Sequence, residues 1–524
     1  MKEAEFDVIV VGSGFGGGIA AWRLAKQGRR VLVLERGRRY TPGEFPRDPR
    51  DTRRIFWDAE HPERSAGLYD VRFFSGIATA VASGVGGGSL IYANNLVRPN
   101  ESAFEGWPDP FSRSHLDPLY ERIEAVLTPS PVPNQYHLPK RTAFRDAARA
   151  LAKPVFDTHQ AVSWMVPTNP GQGHCILCAE CEFGCNHAAK NTVDLTFLRE
   201  ALAAGAKLWV GCEVSHIEPS KGHAYGRPNA YDVRYRDHNS LREACVTGRR
   251  VVLAGGTLGT TEILLRSRDL FGTLPNLSAR LGDGFSGNGD FFATLQNSSA
   301  PMDPWYGPDV TSVMEFADPQ GIFTVAAPAF SHAAMAYLAS LGQGGPHHAN
   351  WFSNRLWPHL GGALRLAFES GLVGKALAIK LPGAGPADRM TCLMAQGRDN
   401  AHGRVYLKEG RLDIEWDFAN ENRSLVEAMC KGMEQIAAVY GATFAPLSTW
   451  SFFEKTLTVH PLGGCRMGAD ASEGVVDVCG QVFGYPGLHV ADGSVLPSPL
   501  GYHPALTIAA VALKFADDLV KMAL

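Results

Sequence analysis

The sequence carries almost no net charge and has no long apolar run. Its 50 Lys and Arg residues and 53 Asp and Glu residues leave a formal charge of −3 over 524 residues. A nucleic-acid-binding protein would show an excess of basic residues, so this class is excluded. No run reaches the roughly 18 consecutive apolar residues of a membrane-spanning helix. Peripheral contact with a membrane stays open.

The N-terminal residues lack the features of a signal peptide. An apolar stretch begins at Phe6, after five mixed residues that leave no room for a basic start and a cleavage site. We therefore expect a cytoplasmic protein. Cysteine is also scarce, with ten residues in the chain, but four of them fall between Cys175 and Cys185. In a reducing compartment such a cluster favours metal ligands over disulfides.

The first 35 residues follow the pattern of a dinucleotide-binding unit. Phe6–Val11 is apolar apart from Asp7, which is typical of a strand that is buried on both faces of a parallel sheet. A GxGxxG sequence with Gly12, Gly14 and Gly17 follows, then a helical stretch and a second strand that ends in Glu35, 18 positions after Gly17. The glycines permit the tight turn, the approach of a pyrophosphate and close helix–strand packing, and Glu35 can accept from a ribose hydroxyl. This fingerprint alone leaves FAD and NAD open.

A second glycine-rich segment lies about seventy residues further on. Gly86, Gly87 and Ser89 lie in a loop that leads into Asn94. A loop of this composition lets the backbone lie flat against a planar ligand.

Six later segments complete the pattern. They are Gly211–Val214, Val251–Glu262, Gly272–Asn276, His460–Gly468, Val490–Ser494 and Gly501–Pro504. With these motifs in this order, the chain resembles the glucose-methanol-choline (GMC) oxidoreductases, and within them the cholesterol oxidase-like bacterial branch. The resemblance covers the chain from residue 6 to its C-terminal region.

The resemblance implies an α/β fold, with a Rossmann-like FAD-binding domain of the GMC (PHBH) type and an inserted α+β substrate domain on an antiparallel sheet. A chain of this length accommodates about two intertwined domains. The expected divisions are an FAD-binding domain at 1–100, 190–296 and 457–524, a connecting segment at 101–189 with a Cys-rich loop at 175–185, and a substrate-binding cap at 297–456.

The resemblance also assigns further FAD contacts. Val214 is expected to meet the adenine through its backbone, and Gly255 to lie near the adenosine half. Asp492 and Gly493 are expected to hold the ribityl and pyrophosphate region. The alternative for each segment is an ordinary turn.

Two histidines are the candidate catalytic pair. Removal of a hydride from an alcohol carbon requires a base for the hydroxyl proton, and a neutral histidine suits that role. By the resemblance, His460 is the first choice for the base and His503 its hydrogen-bonding partner. Cholesterol oxidases usually have Asn at the second position, which leaves open which residue takes the proton. Pro504 fits the first turn of a helix whose positive end would point toward the flavin.

The four clustered cysteines, Cys175, Cys178, Cys181 and Cys185, have the CxxCxxCxxxC spacing of bacterial ferredoxins. This spacing suits an iron–sulfur cluster better than a zinc knuckle. In two-cluster ferredoxins, however, the fourth cysteine of such a run binds the other cluster. A loop of free thiols is the alternative.

The segment Pro319–Asn354 contains no Asp, Glu, Lys or Arg and is rich in aromatic residues. It indicates a mobile lid over an apolar cavity or a surface that meets lipid, and its alternative is a buried hairpin and helix. We therefore expect a bulky lipophilic or sterol-like alcohol as substrate, and oxygen, a protein or a quinone as electron acceptor. Lyase or photochemical use of the flavin is the second hypothesis.

Overall fold

The computed structural model of the protein describes residues 5–48, 51–58, 66–165, 171–220, 230–299, 302–318, 321–331 and 389–522. The strands in chain order are β1 Phe6–Val11, β2 Val31–Glu35, β3 Tyr69–Phe73, β4 Ala78–Ala82, β5 Asn95–Leu96, β6 Val155–Asp157, β7 His159–Gln160, β8 Lys207–Val210, β9 Cys212–Pro219, β10 Tyr231–Asp237, β11 Arg242–Leu253, β12 Asp283–Phe285, β13 Phe291–Gln296, β14 Ser312–Asp318, β15 Gly321–Ala326, β16 Thr391–Gly397, β17 Gly403–Lys408, β18 Arg411–Glu415, β19 Thr443–Pro446, β20 Leu457–Thr458 and β21 Leu488–Val490.

The α-helices are α1 Phe15–Ala25, α2 Thr52–Ile55, α3 Arg113–Leu127, α4 Pro139–Ala150, α5 Phe197–Ala203, α6 Gly256–Leu265, α7 Phe418–Glu421, α8 Arg423–Tyr440, α9 Ser448–Phe453 and α10 Ala505–Lys521.

The nucleotide-binding half is built on a mixed sheet in the order β8-β2-β1-β11-β10-β9, with β21 paired to β11. The strands β8, β2, β1 and β11 run parallel, whereas β10 is antiparallel to both of its neighbours. Every residue of β1 and β2 is buried, which explains why both strands are apolar apart from Asp7 and Glu35. Helix α1 packs against α10 and α5 on one face of this sheet. The predicted Rossmann-like fold is confirmed.

The C-terminal region completes this sheet. β21 runs parallel to the end of β11, with Val251 opposite Leu488. The backbone N–H of Ala491 then donates to the carbonyl of Leu253 at 2.8 Å. The nucleotide-binding half is therefore discontinuous in sequence.

The second half is built on an antiparallel sheet in the order β19-β13-β16-β15-β14-β6. Helix α8 covers one of its faces, where Gly432 lies against Phe316 and Phe323 and Met429 lies against Gly397 of β16. The predicted antiparallel sheet is thus present. It also includes β6 and β13, which lie outside the range 297–456 that the motifs indicate.

The uncharged segment 319–354 is described only at residues 321–331. There β15 forms a hairpin with β14, and Phe323 is buried while Ile322 is half-exposed. The rest of the predicted lid lies outside the described residues. No helix in the described ranges is long and apolar enough to cross a bilayer. The cytoplasmic location and the peripheral membrane contact remain predictions.

Candidate active site

The glycine-rich loop after β1 is in direct contact with the second glycine-rich loop, at Gly14 and Gly87. A Cβ atom added to Gly87 would lie 2.6 Å from Cα of Gly14, so only glycine fits at this contact. Gly87 also has a φ of +53°, in the left-handed region. A Cβ on Gly14 would meet Gly87 Cα at 3.6 Å and Gly88 N at 3.8 Å, which is ordinary van der Waals contact, so Gly14 faces the second glycine loop directly. The structure thus brings both predicted loops to the N-terminus of α1.

Gly12 and Gly17 stand where helix and sheet approach most closely. A Cβ on Gly12 would lie 2.2 Å from the carbonyl oxygen of Ala254, and one on Gly17 would lie 2.0 Å from the carbonyl oxygen of Gly12. Both distances are far below contact. The turn therefore brings the start of α1 against the ends of β1 and β11, with the free N–H groups of its first turn at the sheet edge.

Glu35 is buried at the end of β2 and fixes the first loop. Its Oε2 accepts from the backbone N–H of Ser13 at 3.1 Å and from Ser13 Oγ–H at 2.6 Å, and its Oε1 accepts from the N–H of Gly37. Ser13 Oγ in turn accepts from the N–H of Gly86 at 3.0 Å. This carboxylate therefore links the two glycine loops as well as standing at the predicted ribose position.

The loop from residue 84 to 95 is tied down by buried polar groups. Ser89 Oγ–H donates to the carbonyl of Gly86 at 2.7 Å, and Ser89 Oγ accepts from the N–H of Val193 at 2.9 Å. Asn94 has a φ of +58° and directs its amide nitrogen to Cys181 Sγ at 3.2 Å. The loop predicted to face the flavin is therefore in direct contact with the cysteine-rich loop.

Asp492 joins three segments at the edge of the nucleotide-binding sheet. It accepts from Gly256 N–H at 2.9 Å, from Thr260 Oγ–H at 2.5 Å and from Ser494 N–H and Oγ–H. Burial raises the pKa of its carboxyl, and these donors act in the opposite direction. Gly493 follows directly and is buried.

The other two predicted contacts lie in the same half. Val214 is buried on β9, opposite Tyr235 of β10. Gly255 precedes α6, and its N–H donates to Thr260 Oγ at 3.0 Å. Val214 therefore lies near the start of a strand of the nucleotide-binding sheet, and Gly255 lies in the turn between β11 of that sheet and α6.

The structure brings His460 and His503 together. Their ring centroids lie 5.4 Å apart and the rings are nearly perpendicular, at 85°. His503 is buried, and Asn95 contacts its Nδ1 at 3.2 Å. Its Nε2 has no hydrogen-bond partner among the described residues. Burial lowers the pKa of His503 well below the usual value, so this imidazole is neutral at pH 7.

His460 is held by a buried carboxylate. Its Nδ1 lies 2.9 Å from Oδ1 and 3.0 Å from Oδ2 of Asp290. Asp290 Oδ2 also accepts from Thr458 Oγ–H and from the backbone N–H groups of Val459 and His460. Donation from Nδ1–H to this carboxylate fixes the tautomer and leaves the lone pair on Nε2. Gln396 places its side-chain amide 3.1 Å from the same Nδ1.

The residues fit a bound dinucleotide with a flavin. The first turn of α1 offers its N–H groups where the two glycine loops meet, at Gly14 and Gly87. His503 Nε2 is a buried polar atom without a partner in the described chain, as expected of an atom that meets a ligand or substrate. Helix α10 begins at Ala505, directly after the His503–Pro504 pair, so its positive end faces the same region.

The four cysteines line one small cavity, with Lys190, His187 and Gly307 also in its wall. All four are free thiols. In the part of the chain that the structure describes, no three His, Cys, Asp or Glu side chains are placed so that they could hold a metal ion. Burial raises the pKa of Cys175 to about 11 and that of Cys181 as well.

Several functional residues were not found from the sequence. Asp290 ends the turn sequence Gly-Asn-Gly-Asp at 287–290, directly before an apolar strand. A carboxylate in that position is the one sequence feature that could have indicated it. Asn95 adjoins the predicted Asn94, but nothing in the sequence links it to His503. Gln396 and Lys190 belong to no recognisable motif, so the sequence does not distinguish them from other Gln and Lys residues.

A dinucleotide site whose second glycine loop ends beside two histidines, one held by a carboxylate, defines the class of flavin-dependent oxidoreductases. Residues 65–281 and 399–512 match the family models described as GMC oxidoreductase, and residues 10–43 match an NAD(P)-binding Rossmann-like domain. The chain belongs to the GMC oxidoreductase family. It is therefore an FAD-dependent enzyme of the kind that oxidises alcohols.

Individual relatives cover nearly the whole chain. A cholesterol oxidase of Mycobacterium tuberculosis is 30% identical over 98% of this chain and 91% of its own length. A cholesterol oxidase of Acinetobacter baumannii is 28% identical over 97% and 93%, and a long-chain-alcohol oxidase of Arabidopsis thaliana is 22% identical over 98% and 68%. Among solved structures, pyridoxine 4-oxidase of Mesorbium loti has the same fold, with a TM-score of 0.69, 17% identity and coverage of 99% and 100%.

Proposed function

We propose that the enzyme oxidises a lipophilic alcohol to its carbonyl compound, with His460 as the base. The observation that carries this proposal is the Asp290–His460 pair, because the buried carboxylate takes Nδ1–H and leaves Nε2 free to accept a proton. FAD, when bound, accepts the hydride from the alcohol carbon. The proton of the alcohol hydroxyl goes to His460 Nε2.

His503 serves as hydrogen-bonding partner of the substrate oxygen. Asn95 holds its Nδ1, and its buried Nε2 has no partner in the described chain. Because burial and the neighbouring His460 keep the pKa of His503 low, it stays neutral while His460 takes the proton. His460 therefore accepts the proton, and His503 binds the substrate oxygen.

The surroundings of the pair favour an apolar substrate. Gln396, which contacts His460, lies on β16, and alternate residues of a strand share a face. On that face follow Met394 and Cys392, which pack in buried apolar clusters with Phe292. A sugar would need polar partners along this strand. The cholesterol and long-chain-alcohol oxidases among the relatives support the same substrate class.

The test is anaerobic flavin reduction, followed by bleaching of the flavin absorption after addition of a sterol, a long-chain primary alcohol or glucose. We expect the lipophilic alcohols to reduce the flavin. His460→Ala should slow reduction by on the order of 10²-fold or more. His402, whose side chain is 68% exposed, provides the matched control, and His402→Ala should leave the rate unchanged. Parental reduction in His460→Ala would exclude this residue as the base. No bleaching with any alcohol would favour lyase or photochemical chemistry.

We propose in addition that the four-cysteine cavity holds an iron–sulfur cluster. Every one of the four sulfurs receives an N–H group, which opposes the burial that raises the pKa of Cys175, Cys178 and Cys181. The pairs are Leu177 N–H with Cys175, Glu180 N–H with Cys178, Asn94 Nδ2–H with Cys181 and Ala189 N–H with Cys185. The thiolates of a cluster bind separate iron atoms, so they stand further apart than the ligands of a single ion.

The loop backbone supports this proposal. Leu177 and Ala179 are buried non-glycine residues with φ of +62° and +55°. Each such residue costs about 1–2 kcal/mol, and strain of this kind concentrates at functional sites. Here it curls the chain so that the cysteines on either side face one cavity. A cluster would supply one-electron transfer, which makes the enzyme a dehydrogenase with a protein or quinone as acceptor.

The experiment is iron, sulfide and FAD analysis of anaerobically purified protein. We expect iron and sulfide with broad visible absorption beyond the flavin bands, all lost in Cys178→Ser. Cys430, a partly buried cysteine of α8 remote from the loop in sequence, serves as control, and Cys430→Ser should retain them. Metal-free protein that oxidises alcohol at full rate with oxygen would refute the cluster and the dehydrogenase assignment. Zinc in place of iron would leave the loop a structural role only.

A further inference from the structure

The loop that carries His503 depends on other segments for its backbone hydrogen bonds. Residues 499–504 begin and end with proline, which has no N–H group, and they lie in no helix or strand. Leu500, Gly501 and His503 are all buried. Buried backbone N–H and C=O groups need partners, so side chains from elsewhere in the chain have to supply them.

Asn288 supplies three of these partners. Its Oδ1 accepts from the backbone N–H groups of Leu500 at 2.9 Å and Gly501 at 3.0 Å, and its Nδ2–H donates to the carbonyl oxygen of Tyr502 at 2.8 Å. Two backbone donors and one backbone acceptor fix the orientation of the amide. Thr324 of β15 adds a bond from Oγ–H to the carbonyl of Gly501 at 2.9 Å. The side chain of Asn288 is fully buried, so water does not compete for its bonds.

Asn288 belongs to the same turn as Asp290, the carboxylate that holds His460. Its φ is +54°, in the left-handed region that Asn tolerates. Its carbonyl accepts from the N–H of Gly397 at 3.1 Å, and a Cβ added to Gly289 would lie 2.4 Å from the carbonyl oxygen of Gly397. The turn is therefore packed tightly against the end of β16, and it supports both histidines.

We propose that Asn288 is a positioning residue, which sets the place of His503 relative to His460 by tying the His503 loop to the turn that holds the base. This role rests on the proposed functions of the two histidines. Asn95 contacts the imidazole ring of His503, whereas Asn288 fixes the backbone from which that ring projects. A displacement of about 1 Å near the reacting atoms can cost on the order of 10²-fold in rate. Asn288 therefore acts on the reaction through His503.

The test is a double-mutant cycle of Asn288→Gly and His503→Ala, measured by anaerobic stopped-flow reduction of the flavin with a lipophilic alcohol, with the FAD content determined for each variant. Glycine adopts a positive φ without strain, so this substitution removes the side-chain bonds alone. Asn288→Gly should lower the limiting rate by on the order of 10-fold or more when His503 is present, and by less than about twofold in His503→Ala. If Asn288→Gly does not fold, Asn288→Asp, which loses only the donor to Tyr502, takes its place in the cycle.

Asn422 provides the matched control. It is also buried, its Oδ1 accepts from the N–H of Asn400 at 2.9 Å, and its Nδ2–H donates to the carbonyl of Phe418 at 3.3 Å. Asn422→Gly should lower the free energy of unfolding and leave the limiting rate near that of the parent. Hydrogen exchange followed by mass spectrometry gives a readout besides activity. The amides of Leu500 and Gly501 should exchange faster in Asn288→Gly than in the parent or in Asn422→Gly.

The outcomes separate this role from the proposed function. A parent whose flavin no alcohol reduces, or a parental rate in His503→Ala, overturns the proposed function of His503 and the role of Asn288 with it. If His503→Ala is slow, a parental rate in Asn288→Gly, an equal loss with and without His503, or an equal loss in Asn422→Gly overturns the role of Asn288 alone. A loss that requires His503, together with faster exchange of the two amides, supports it.

Discussion

The Asp290–His460 pair makes a sharp prediction for Asp290→Asn. Oδ2 accepts from three donors, of Thr458, Val459 and His460, so the amide oxygen of Asn must stay on that side. Its NH₂ group then takes the position of Oδ1, 2.9 Å from His460 Nδ1. Because the NH₂ group can only donate, Nδ1 becomes the acceptor and the ring proton moves to Nε2. The base then has no lone pair toward the substrate.

The magnitude follows from the bond that is lost. A hydrogen bond to a charged group contributes about 1.5–3 kcal/mol, which is one to two decades in rate. The reversed tautomer adds to this loss, so we expect flavin reduction to slow by on the order of 10²–10⁴-fold, or about 2.7–5.4 kcal/mol. The limiting rate should fall while the dissociation constant of the alcohol changes little, since Asp290 contacts the base and not the substrate.

The assay is anaerobic stopped-flow reduction of the flavin over a range of alcohol concentrations. Asp399 provides the control, because it is a neighbouring buried carboxyl that accepts from Ser286 Oγ–H and from Gly289 N–H. Burial raises its pKa to about 6. Asp399→Asn should lower stability and leave the limiting rate within about tenfold of the parent. A parental rate in Asp290→Asn, or equal losses in both variants, would refute this account of the base.

Three further predictions follow from the same structure. Gly14→Val should lose FAD, because a side chain at this turn would stand where the pyrophosphate is expected to approach; full flavin occupancy in the folded variant would contradict the assignment of this turn. His503→Asn should slow flavin reduction less than His460→Ala does, because Asn keeps a donor for the substrate oxygen. Equal losses in the two variants would contradict the assignment of His503 as a hydrogen-bond donor only. Burial lowers the pKa of His489 to about 3. Below pH ~6.5 only the unfolded chain takes up a proton at this residue, so the free energy of unfolding decreases as the pH is lowered. In denaturant unfolding, the effect of His489→Leu on the free energy of unfolding should therefore be about 1.4 kcal/mol more stabilising at pH 5.5 than at pH 8. An effect that does not change with pH would contradict this.

The nucleotide-binding unit could be predicted because each signal is local. The strand Phe6–Val11 has the predicted bounds, and Gly12 and Gly17 stand at the turn where no side chain fits. The helix begins at Phe15, although its first turn contains Gly16, Gly17 and Gly18, which helix propensity disfavours. Here the close approach of Gly16 to Ala491 overrides propensity.

The partners of the catalytic residues could not be predicted, because they come from distant segments. Asp290 is 170 positions from His460, and Asn95 is 408 positions from His503. Periodicity reports which face of an element is buried, but not which element covers it. The same holds for the contact of Asn94 with Cys181, which depends on how two irregular loops pack. The antiparallel sheet was expected, but the addition of β6 by a short pairing with β14 carries no composition signal.

The pairing of β11 with β21 has a consequence for biosynthesis. β1 leaves the ribosome early, whereas Leu488 and Asp492, which complete the same sheet edge, are made about 480 residues later. At about 5–20 residues per second this interval is roughly 25–100 s. During that time Gly16 lacks the chain that covers it, and Val251–Leu253 present an open edge for the later half of it, from their own synthesis until Leu488 is made about 235 residues later. An unpaired strand edge of this kind can pair with other chains, so the nascent chain carries an aggregation-prone edge until β21 is made.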